Sequence, residues 1–347
     1  MKAKASSMFI FMVLCICSTI YAKTPTDGFF AVAHRGGRDI RPENTIPAFA
    51  YGMETGVTSI ELDVYLSIDG VVVVSHDPFL SYTLARNSEG EWLPKDKPLD
   101  IRLMKYADIE KYLVGETNPA DTEYFALHGT TQVRFSNARI PTLAEVFELM
   151  NLYKADNVLM NLEIKTCPDP KGSEYTNSPD PELIAKKVLA VIDQYKMRNR
   201  IRILEFDWRV IKKLKEIAPD LTLVALIEPD GTKADSPWLG GLKLADYNND
   251  PVMAAKAIGA DIYSPEFHML TKEIVIKAHS EGLRVEPWTA NEVADMMNLI
   301  DIGVDGITTD RPLTLREVMF YKGLKLPAPV KLPVGVPDWA NDPSLYK

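Results

Sequence analysis

The sequence is poor in cysteine and has no apolar run of membrane-spanning length. It holds 3 cysteines in 347 residues, and two of them, Cys15 and Cys17, lie close to the amino terminus. The apolar run from Met8 to Cys17 is about ten residues, whereas a helix that crosses a bilayer needs about 20. If residues 1–22 are removed, Cys167 alone remains and no intramolecular disulfide can form. The fold must therefore depend on a large hydrophobic core, for which 46% hydrophobic residues suffice.

The sequence also lacks an excess of positive charge. It has 39 Lys and Arg against 48 Asp and Glu, which gives a formal net charge of −9. A nucleic-acid or anionic-membrane surface would need clusters of basic side chains, so this balance argues against both partners. A negatively charged small molecule would have to be attracted by a local cation and not by the field of the whole protein.

Both ends of the chain have distinctive compositions. Residues 1–22 combine Lys2 and Lys4 with the short apolar run and a small residue, Ala22, which is typical of a secretory signal peptide. We therefore expect export to the periplasm or the extracellular space, with no stable membrane anchor after cleavage. Residues 326–347 are rich in proline, which cannot continue a helix, and this predicts an extended tail.

Between these ends, short β-rich runs alternate with helical patterns. Such alternation is the signature of parallel βα units. Eight of each predict a (β/α)₈ TIM barrel over residues 23–325. The strands are predicted at 31–34, 58–64, 158–164, 201–206, 221–227, 261–265, 284–289 and 305–309. The helices are predicted at 43–55, 141–153, 181–196, 207–217, 250–257, 271–280, 291–301 and 312–321.

The run 71–75 is an additional strand that the barrel does not need. It follows the second strand too closely for a parallel crossover, and the dipeptide Asp69-Gly70 between them favours a hairpin turn. Counting from a two-residue turn, Val64 is expected opposite Ser75 and Asp63 opposite His76.

The segment 79–139 is an insertion, since it lies between the second strand and the second helix of the barrel. Long structureless loops are uncommon inside a domain unless they are lids or small subdomains. Because this segment leaves directly after His76, we expect it over the C-terminal face, where TIM barrels carry their chemistry. A surface excursion away from that face is the alternative.

Carboxylates and histidines collect at the ends of the predicted strands. Glu61 and Asp63 lie two residues apart, so they share one face of a strand, and Glu163 and Lys165 repeat this spacing. Carboxylate oxygens side by side suit a hard divalent cation such as Ca²⁺ or Mg²⁺. His34 and His76 each end a short apolar run; imidazole can accept or donate a proton near neutral pH.

The order and spacing of the motifs resemble the glycerophosphodiester phosphodiesterase family. The motifs are HRG at 34–36, PENT at 42–45, ELD at 61–63, DG at 69–70, HD at 76–77, LEIK at 162–165, PWTAN at 287–291 and GVDGITTDRP at 303–312. The resemblance implies metal-dependent hydrolysis of glycerophosphodiesters to sn-glycerol 3-phosphate and an alcohol. It also implies that Glu61, Asp63 and Glu163 bind the cation and that His34 and His76 transfer protons.

The substrate-binding residues follow from the same positions. Arg35 can hold two phosphate oxygens with its planar guanidinium, and Lys165 adds a point charge. Trp288 is expected to contact glycerol carbons or the alcohol headgroup, with core packing as the alternative. Two points stay open: which histidine is the acid, and whether a neighbouring substrate hydroxyl or water attacks phosphorus.

Other activities fit parts of the same pattern. A lysophospholipase-D-like enzyme would need an apolar groove for an acyl chain, a non-catalytic barrel would bind phosphorylated ligands without turnover, and a metal-dependent sugar isomerase would release no phosphate product. Glu205 and Glu286 lie near the ends of their strands. We expect such additional acids to favour a cationic headgroup.

Overall fold

The computed structural model describes residues 28–168 and 177–335. The predicted signal peptide lies outside the described residues, as do the last residues of the predicted tail, so both stay predictions. Among the helices of the described chain, none has the length and hydropathy required to cross a membrane.

Eleven strands and ten helices make up the regular structure of the described residues. The strands are β1 Phe30–Ala33, β2 Ser59–Leu66, β3 Val72–Val74, β4 Phe79–Leu80, β5 Leu99–Asp100, β6 Leu159–Ile164, β7 Ile201–Glu205, β8 Thr222–Ile227, β9 Ile262–Pro265, β10 Arg284–Val285 and β11 Gly306–Thr309. The helices are α1 Ile46–Thr55, α2 Tyr106–Ile109, α3 Thr122–Tyr124, α4 Leu143–Leu152, α5 Pro181–Gln194, α6 Trp208–Ile217, α7 Pro251–Ile258, α8 Lys272–Ser280, α9 Val293–Ile302 and α10 Pro312–Tyr321.

Eight parallel strands form a nearly closed barrel, which confirms the predicted TIM-barrel fold. Their order around the sheet is β10-β9-β8-β7-β6-β2-β1-β11. The ring closes between β10 and β11 through backbone hydrogen bonds, one of them from Asp305 N to Val285 O at 2.8 Å. The strand predicted at 284–289 ends early, at Val285. Pro287 cannot donate a ladder hydrogen bond, so a regular strand does not extend through it.

Alternation along each strand separates the core from the site. On β2, Ile60, Leu62 and Val64 pack in the hydrophobic layer that also contains Phe49 and Met53 of α1. The intervening residues, Glu61 and Asp63, therefore point into the barrel. The same period places the polar residues of β6 inside.

The predicted hairpin is present, but its register was predicted wrongly by one residue. Strand β3 pairs antiparallel with β2, and Val64 lies opposite Val74 instead of Ser75. The loop holds three residues and not two, because Gly70 adopts φ +78° and Ser67 N donates to Val71 O at 3.0 Å. A three-residue loop with glycine in the left-handed region is a standard hairpin turn. Asp63 therefore faces Ser75, and His76 lies one residue beyond the predicted pair.

The insertion after β3 is a small subdomain on the C-terminal face of the barrel. It has its own hydrophobic cluster, which includes Leu80, Ile101 and Ile109 and joins the barrel through Tyr65 and Val73. Strands β4 and β5 and helices α2 and α3 belong to it. The described part of the tail has no helix or strand after α10 and contacts the barrel, where Val330 N donates to Met53 O at 3.0 Å. The domain limits at residues 22 and 325 stay predictions.

Candidate active site

A cavity of about 450 Å³ opens at the carboxyl ends of the barrel strands. Seven of the eight predicted site residues line it: His34, Arg35, Glu61, His76, Glu163, Lys165 and Trp288. The eighth, Asp63, lies directly below and is 1% exposed. The fold thus brings together residues that are far apart in the sequence.

The three predicted metal-binding acids form one cluster. Glu61, Asp63 and Glu163 each offer an oxygen, and these oxygens lie within 4.8 Å of one another. The register of the sheet explains this, because Asp63 is the direct neighbour of Glu163 across the β2–β6 pair. Strand alternation then places Glu61 on the same inner face.

The chemistry of this cluster fits a hard divalent cation. Burial, followed by repulsion from Asp63 and Glu163, holds the pKa of Glu61 well above its usual range. Burial likewise raises the pKa of Glu163 to about 7. Three buried carboxylates repel one another when all are ionised, and a cation with oxygen ligands relieves that repulsion.

Lys165 lies against the same acids. Its ammonium is 2.9 Å from Asp63 Oδ1 and 2.5 Å from Glu163 Oε1. Burial opposes the charged form of Lys165, but Asp63 and Glu163 more than offset it and raise the pKa of this ammonium. Lys165 is therefore a fixed positive charge in the cavity wall.

The turn after β1 presents Arg35 through an unusual backbone. Arg35 and Asn44 both have left-handed backbones, with φ of 51° and 54°. The Arg35 backbone N–H donates to Glu61 Oε2 at 2.7 Å, and Asn44 Nδ2 donates to Asp63 Oδ2 at 2.8 Å. The turn thus fixes two of the clustered acids. Gly36, at φ +87°, passes so close to α1 that an added Cβ would lie 2.6 Å from the carbonyl carbon of Ala48.

The Arg35 guanidinium is only partly used by the protein. Its Nη1 donates to Glu43 Oε1 at 2.6 Å, while its buried Nε has no hydrogen-bond partner among the described residues. Burial opposes the charged form, yet Glu43 and Asp63 keep the pKa of Arg35 above its ordinary value. That Nε faces Asp63 Oδ2 at 3.7 Å, so Arg35 is a permanent charge held at the edge of the cavity, which suits an anionic ligand.

His34 is oriented by a carboxylate. Its Nδ1 lies 2.6 Å from Asp310 Oδ1, and its Nε2 lies 4.0 Å from Glu61 Oε2. Asp310 is itself held by Asn291 Nδ2 at 2.7 Å and by Arg38 Nε at 2.6 Å. Burial lowers the pKa of His34 to about 4, against the opposing effect of Asp310. The imidazole is therefore neutral at physiological pH, with Nδ1–H donating to Asp310 and Nε2 left as an acceptor.

His76 has a similar partner but a more open position. Its Nδ1 lies 2.7 Å from Asp77 Oδ1, and 34% of its side chain is exposed. Burial, followed by the charges of Arg35 and Lys165, lowers the pKa of His76. Its exposed edge gives this imidazole a route for proton exchange with solvent.

One wall of the cavity is apolar, in contrast to the wall that carries the acids, Arg35 and Lys165. Phe206 and Trp288 meet edge to face with ring centroids 5.2 Å apart, and Trp238 and Leu226 also line this side. Trp288 Nε1 donates to Ser264 O at 3.0 Å, which fixes the ring. The structure thus places Trp288 in the cavity wall, beside a cluster of buried barrel residues.

The two acids expected to favour a cationic headgroup do not reach the cavity. Glu286 is buried below it and forms an ion pair with Arg202. Glu205 is 0% exposed, and neither of its carboxyl oxygens has a hydrogen-bond partner among the described residues. On β7 the inner positions are Arg202 and Leu204, so Glu205 faces the helix layer. The hypothesis for these two residues is wrong.

Sequence reasoning missed three residues that bond the predicted site residues directly and a fourth that bonds one of these three. They are Glu43, Asp77, Tyr124 and Asp310, which bond Arg35, His76, Glu43 and His34 respectively. Three of them lie inside or beside the recognised motifs, which could have indicated them. Tyr124 belongs to the insertion and carries no such signal.

Comparison with known proteins agrees with this geometry. The model of the glycerophosphoryl diester phosphodiesterase family matches residues 34–314. A glycerophosphodiester phosphodiesterase from Caldanaerobacter subterraneus is 32% identical over 82% of this chain and 95% of the relative. Human lysophospholipase D GDPD1 is 25% identical over 83% of this chain and 85% of the relative.

Solved structures show the same fold. A protein of Silicibacter pomeroyi, named as a candidate glycerophosphoryl diester phosphodiesterase, is 28% identical with a TM-score of 0.75 over 87% of this chain and 96% of that one. An Oleispira antarctica phosphodiesterase, solved with the product sn-glycerol-3-phosphate, is 20% identical with a TM-score of 0.61 over 83% of this chain and 96% of that one. The chain belongs to the glycerophosphoryl diester phosphodiesterase family. The sequence-based prediction of an enzyme of this family is confirmed.

Proposed function

We propose that the protein hydrolyses glycerophosphodiesters to sn-glycerol 3-phosphate and an alcohol, with a divalent cation and a pair of histidines. The observation that carries the proposal is the convergence of three acids, two imidazoles and two cationic side chains on one cavity. The names of the relatives, and the product bound in the Oleispira antarctica structure, support the same substrate class.

We propose Glu61, Asp63 and Glu163 as the ligands of the cation, and Ca²⁺ or Mg²⁺ as its identity. The cluster offers only hard oxygen donors, which these ions prefer. When bound, such a cation stabilises negative charge on the phosphate oxygens.

The two histidines are proposed to move the protons. His34 Nε2 is unprotonated and accepts the proton of the attacking oxygen as that oxygen bonds to phosphorus. The attacking oxygen is that of water, or that of a substrate hydroxyl in a first step whose cyclic phosphate water then opens. His76 in its protonated form donates a proton to the oxygen of the departing alcohol as the P–O bond breaks, and its exposed edge allows it to be reprotonated. Asp310 and Asp77 hold the two rings in orientation by accepting from their Nδ1 atoms.

Arg35 and Lys165 are proposed to bind the phosphate. Both are permanent cations, and both line the cavity. Trp288 and Phe206 are proposed to pack against the glycerol carbons or the alcohol. The charged wall would then hold the reacting group while the apolar wall orients the rest of the molecule.

The test measures choline and glycerol 3-phosphate released from glycerophosphocholine, with and without EDTA, adding back Ca²⁺, Mg²⁺ and Zn²⁺ separately. We expect activity to disappear in EDTA and to return with Ca²⁺ or Mg²⁺. His34→Ala and His76→Ala should each lower kcat by about 100-fold or more.

His268→Asn is a matched control for the histidine variants. His268 also bonds a carboxylate, that of Glu266 at 2.7 Å, but its side chain is 75% exposed and does not line the cavity. It should keep wild-type kcat. Full activity in His34→Ala would exclude the proposed proton transfer.

The apolar wall supports a second candidate, a lysophospholipase-D-like activity. Phe206, Trp238 and Trp288 could lie along the first carbons of an acyl chain that leaves through the open mouth. Choline release from lysophosphatidylcholine, with none from glycerophosphocholine, would favour this candidate over the first.

A further inference from the structure

The insertion is bonded to the turn that carries His34 and Arg35. The hydroxyl of Tyr124, at the end of α3, donates to the Glu43 carboxylate. Three other residues of the insertion, which follow Tyr124 in the sequence, donate hydrogen bonds to successive backbone carbonyls of the same turn. These contacts are Gln132 Nε2 to Arg38 O at 2.6 Å, Thr131 Oγ1 to Asp39 O at 2.5 Å and Val133 N to Ile40 O at 2.9 Å.

Glu43 is the point through which this contact reaches the site. Its Oε1 accepts from Arg35 Nη1 at 2.6 Å, and its Oε2 lies 3.5 Å from Arg38 Nη1. Glu43 is 8% exposed and does not line the main cavity, whereas both arginines do. Its function is therefore to hold the two guanidinium groups and not to contact a substrate.

The direction of the tyrosine hydrogen bond is fixed by the charges around it. Burial opposes ionisation of Glu43, but Arg35 and Arg38 hold the pKa of that carboxyl below its usual range. Burial, followed by Glu43, raises the pKa of Tyr124 well above its ordinary value. The phenol is thus always the donor and the carboxylate always the acceptor.

We propose that Tyr124 is a positioning residue, whose hydroxyl locks the Glu43 carboxylate so that Arg35 faces the substrate phosphate. The inference rests on the proposed function, since it names how the insertion serves the same site. Without the hydroxyl, Glu43 Oε2 loses this donor and keeps the longer contact with Arg38 Nη1 at 3.5 Å, so the carboxylate can rotate. The Arg35 guanidinium then loses a fixed orientation and anion binding weakens, whereas Arg38 stays bonded to Asp310 through its Nε.

The experiment compares Tyr124→Phe with Tyr106→Phe. Tyr106 is a matched control in the same insertion. Its hydroxyl accepts from Arg139 Nη1 at 2.6 Å and lies 3.2 Å from two acceptors, Glu145 Oε2 and Ile140 O, and none of these residues lines the cavity. Both substitutions remove one hydroxyl from a tyrosine, glutamate and arginine cluster. Only the first cluster contains residues of the site.

Binding of sn-glycerol 3-phosphate is measured by calorimetry in the presence of Ca²⁺, together with KM and kcat for glycerophosphocholine and the melting temperature. Tyr124→Phe should weaken binding and raise KM severalfold, up to about tenfold, because the hydrogen bond is made before the ligand binds and only part of its free energy is transmitted to the ligand. Its kcat should change much less. Tyr106→Phe should lower the melting temperature to a similar extent with unchanged binding and KM.

A double variant tests the route through Glu43. If Tyr124 acts through this carboxylate, adding Tyr124→Phe to Glu43→Gln should cause no further loss of binding. Unchanged binding in Tyr124→Phe, or equal losses in both tyrosine variants, would overturn the inference. A wild-type protein that binds glycerol 3-phosphate without turning over any glycerophosphodiester would instead contradict the proposed function, and the binding comparison would still decide the role of Tyr124.

Discussion

Replacing Glu205 by Gln should stabilise the protein, by an amount that increases with pH. Glu205 is fully buried between β7 and the helix layer, without a hydrogen-bond partner for either oxygen among the described residues. Burial, followed by Asp207 and Glu163, raises the pKa of its carboxyl well above 4.5. The folded protein therefore keeps a proton that the unfolded chain releases once the pH exceeds about 4.5.

The sign and size follow from this difference in bound protons. Above pH 4.5 the native state binds more protons than the unfolded state, so the free energy of unfolding falls as the pH rises. Each pH unit costs about 1.4 kcal/mol for as long as the native carboxyl stays protonated. The cost of Glu205 therefore grows from pH 5 upward for as long as its carboxyl keeps the proton, and an amide of the same shape has no such pH-dependent cost.

Urea unfolding at pH 5, 6 and 7 measures the effect in both proteins. Saturating Ca²⁺ in every sample holds the proposed metal-binding acids in one state, so the difference between the two curves isolates Glu205. A matched control is Glu286→Gln, which removes a buried carboxylate that pairs with Arg202. That variant should lose about 3 kcal/mol or more, because it leaves Arg202 buried and unpaired. A stability difference between wild type and Glu205→Gln that stays constant from pH 5 to 7 would refute the reasoning.

Three further outcomes are expected. Asp310→Asn should lower kcat by about 10–100-fold with little change in KM, since His34 loses the acceptor that fixes its tautomer; steady-state kinetics on glycerophosphocholine test this. Glu163→Gln should abolish the thermal stabilisation by Ca²⁺, which for the wild type at 100 times the Kd amounts to about 2.7 kcal/mol. A calorimetric scan with and without Ca²⁺ shows it. Gly36→Ala should unfold at lower urea concentration, because its Cβ would clash with Ala48 and its φ of +87° disfavours alanine; an unchanged midpoint would contradict the turn geometry.

Strand periodicity predicted most of the barrel and the inward orientation of its acids. Two residues share a strand face whenever they lie two apart, so the pairing of Glu61 with Asp63 needed no tertiary information. The hairpin register could not be predicted in this way, because Asp69-Gly70 is compatible with loops of two or three residues. The left-handed backbone of Gly70 in the structure identifies the three-residue loop.

The two-residue period of a strand does not predict how deep a side chain lies inside the barrel. Glu286 and Trp288 lie two residues apart, a spacing that predicts one side of the strand for both, but Glu286 lies lower, where it pairs with Arg202. Trp288, nearer the rim, lines the cavity. Sequence spacing gives the face of a residue and not its layer.

Contacts between distant segments were equally inaccessible. Asp310 meets His34 only because β11 closes the barrel beside β1, where Ala33 is the neighbour of Thr309. Tyr124 reaches Glu43 through an insertion whose helices are too short for any periodic pattern. Neither contact can be read from local composition.

Lys165 gives the cation site an internal counter-ion. Because its ammonium already lies between Asp63 and Glu163, part of the acidic charge is balanced before any ion arrives. The protein should accordingly keep its native fold when a chelator removes the proposed ion, unlike small metal-binding domains that unfold without their metal. Removal of the proposed ion should then abolish activity and leave the fold intact.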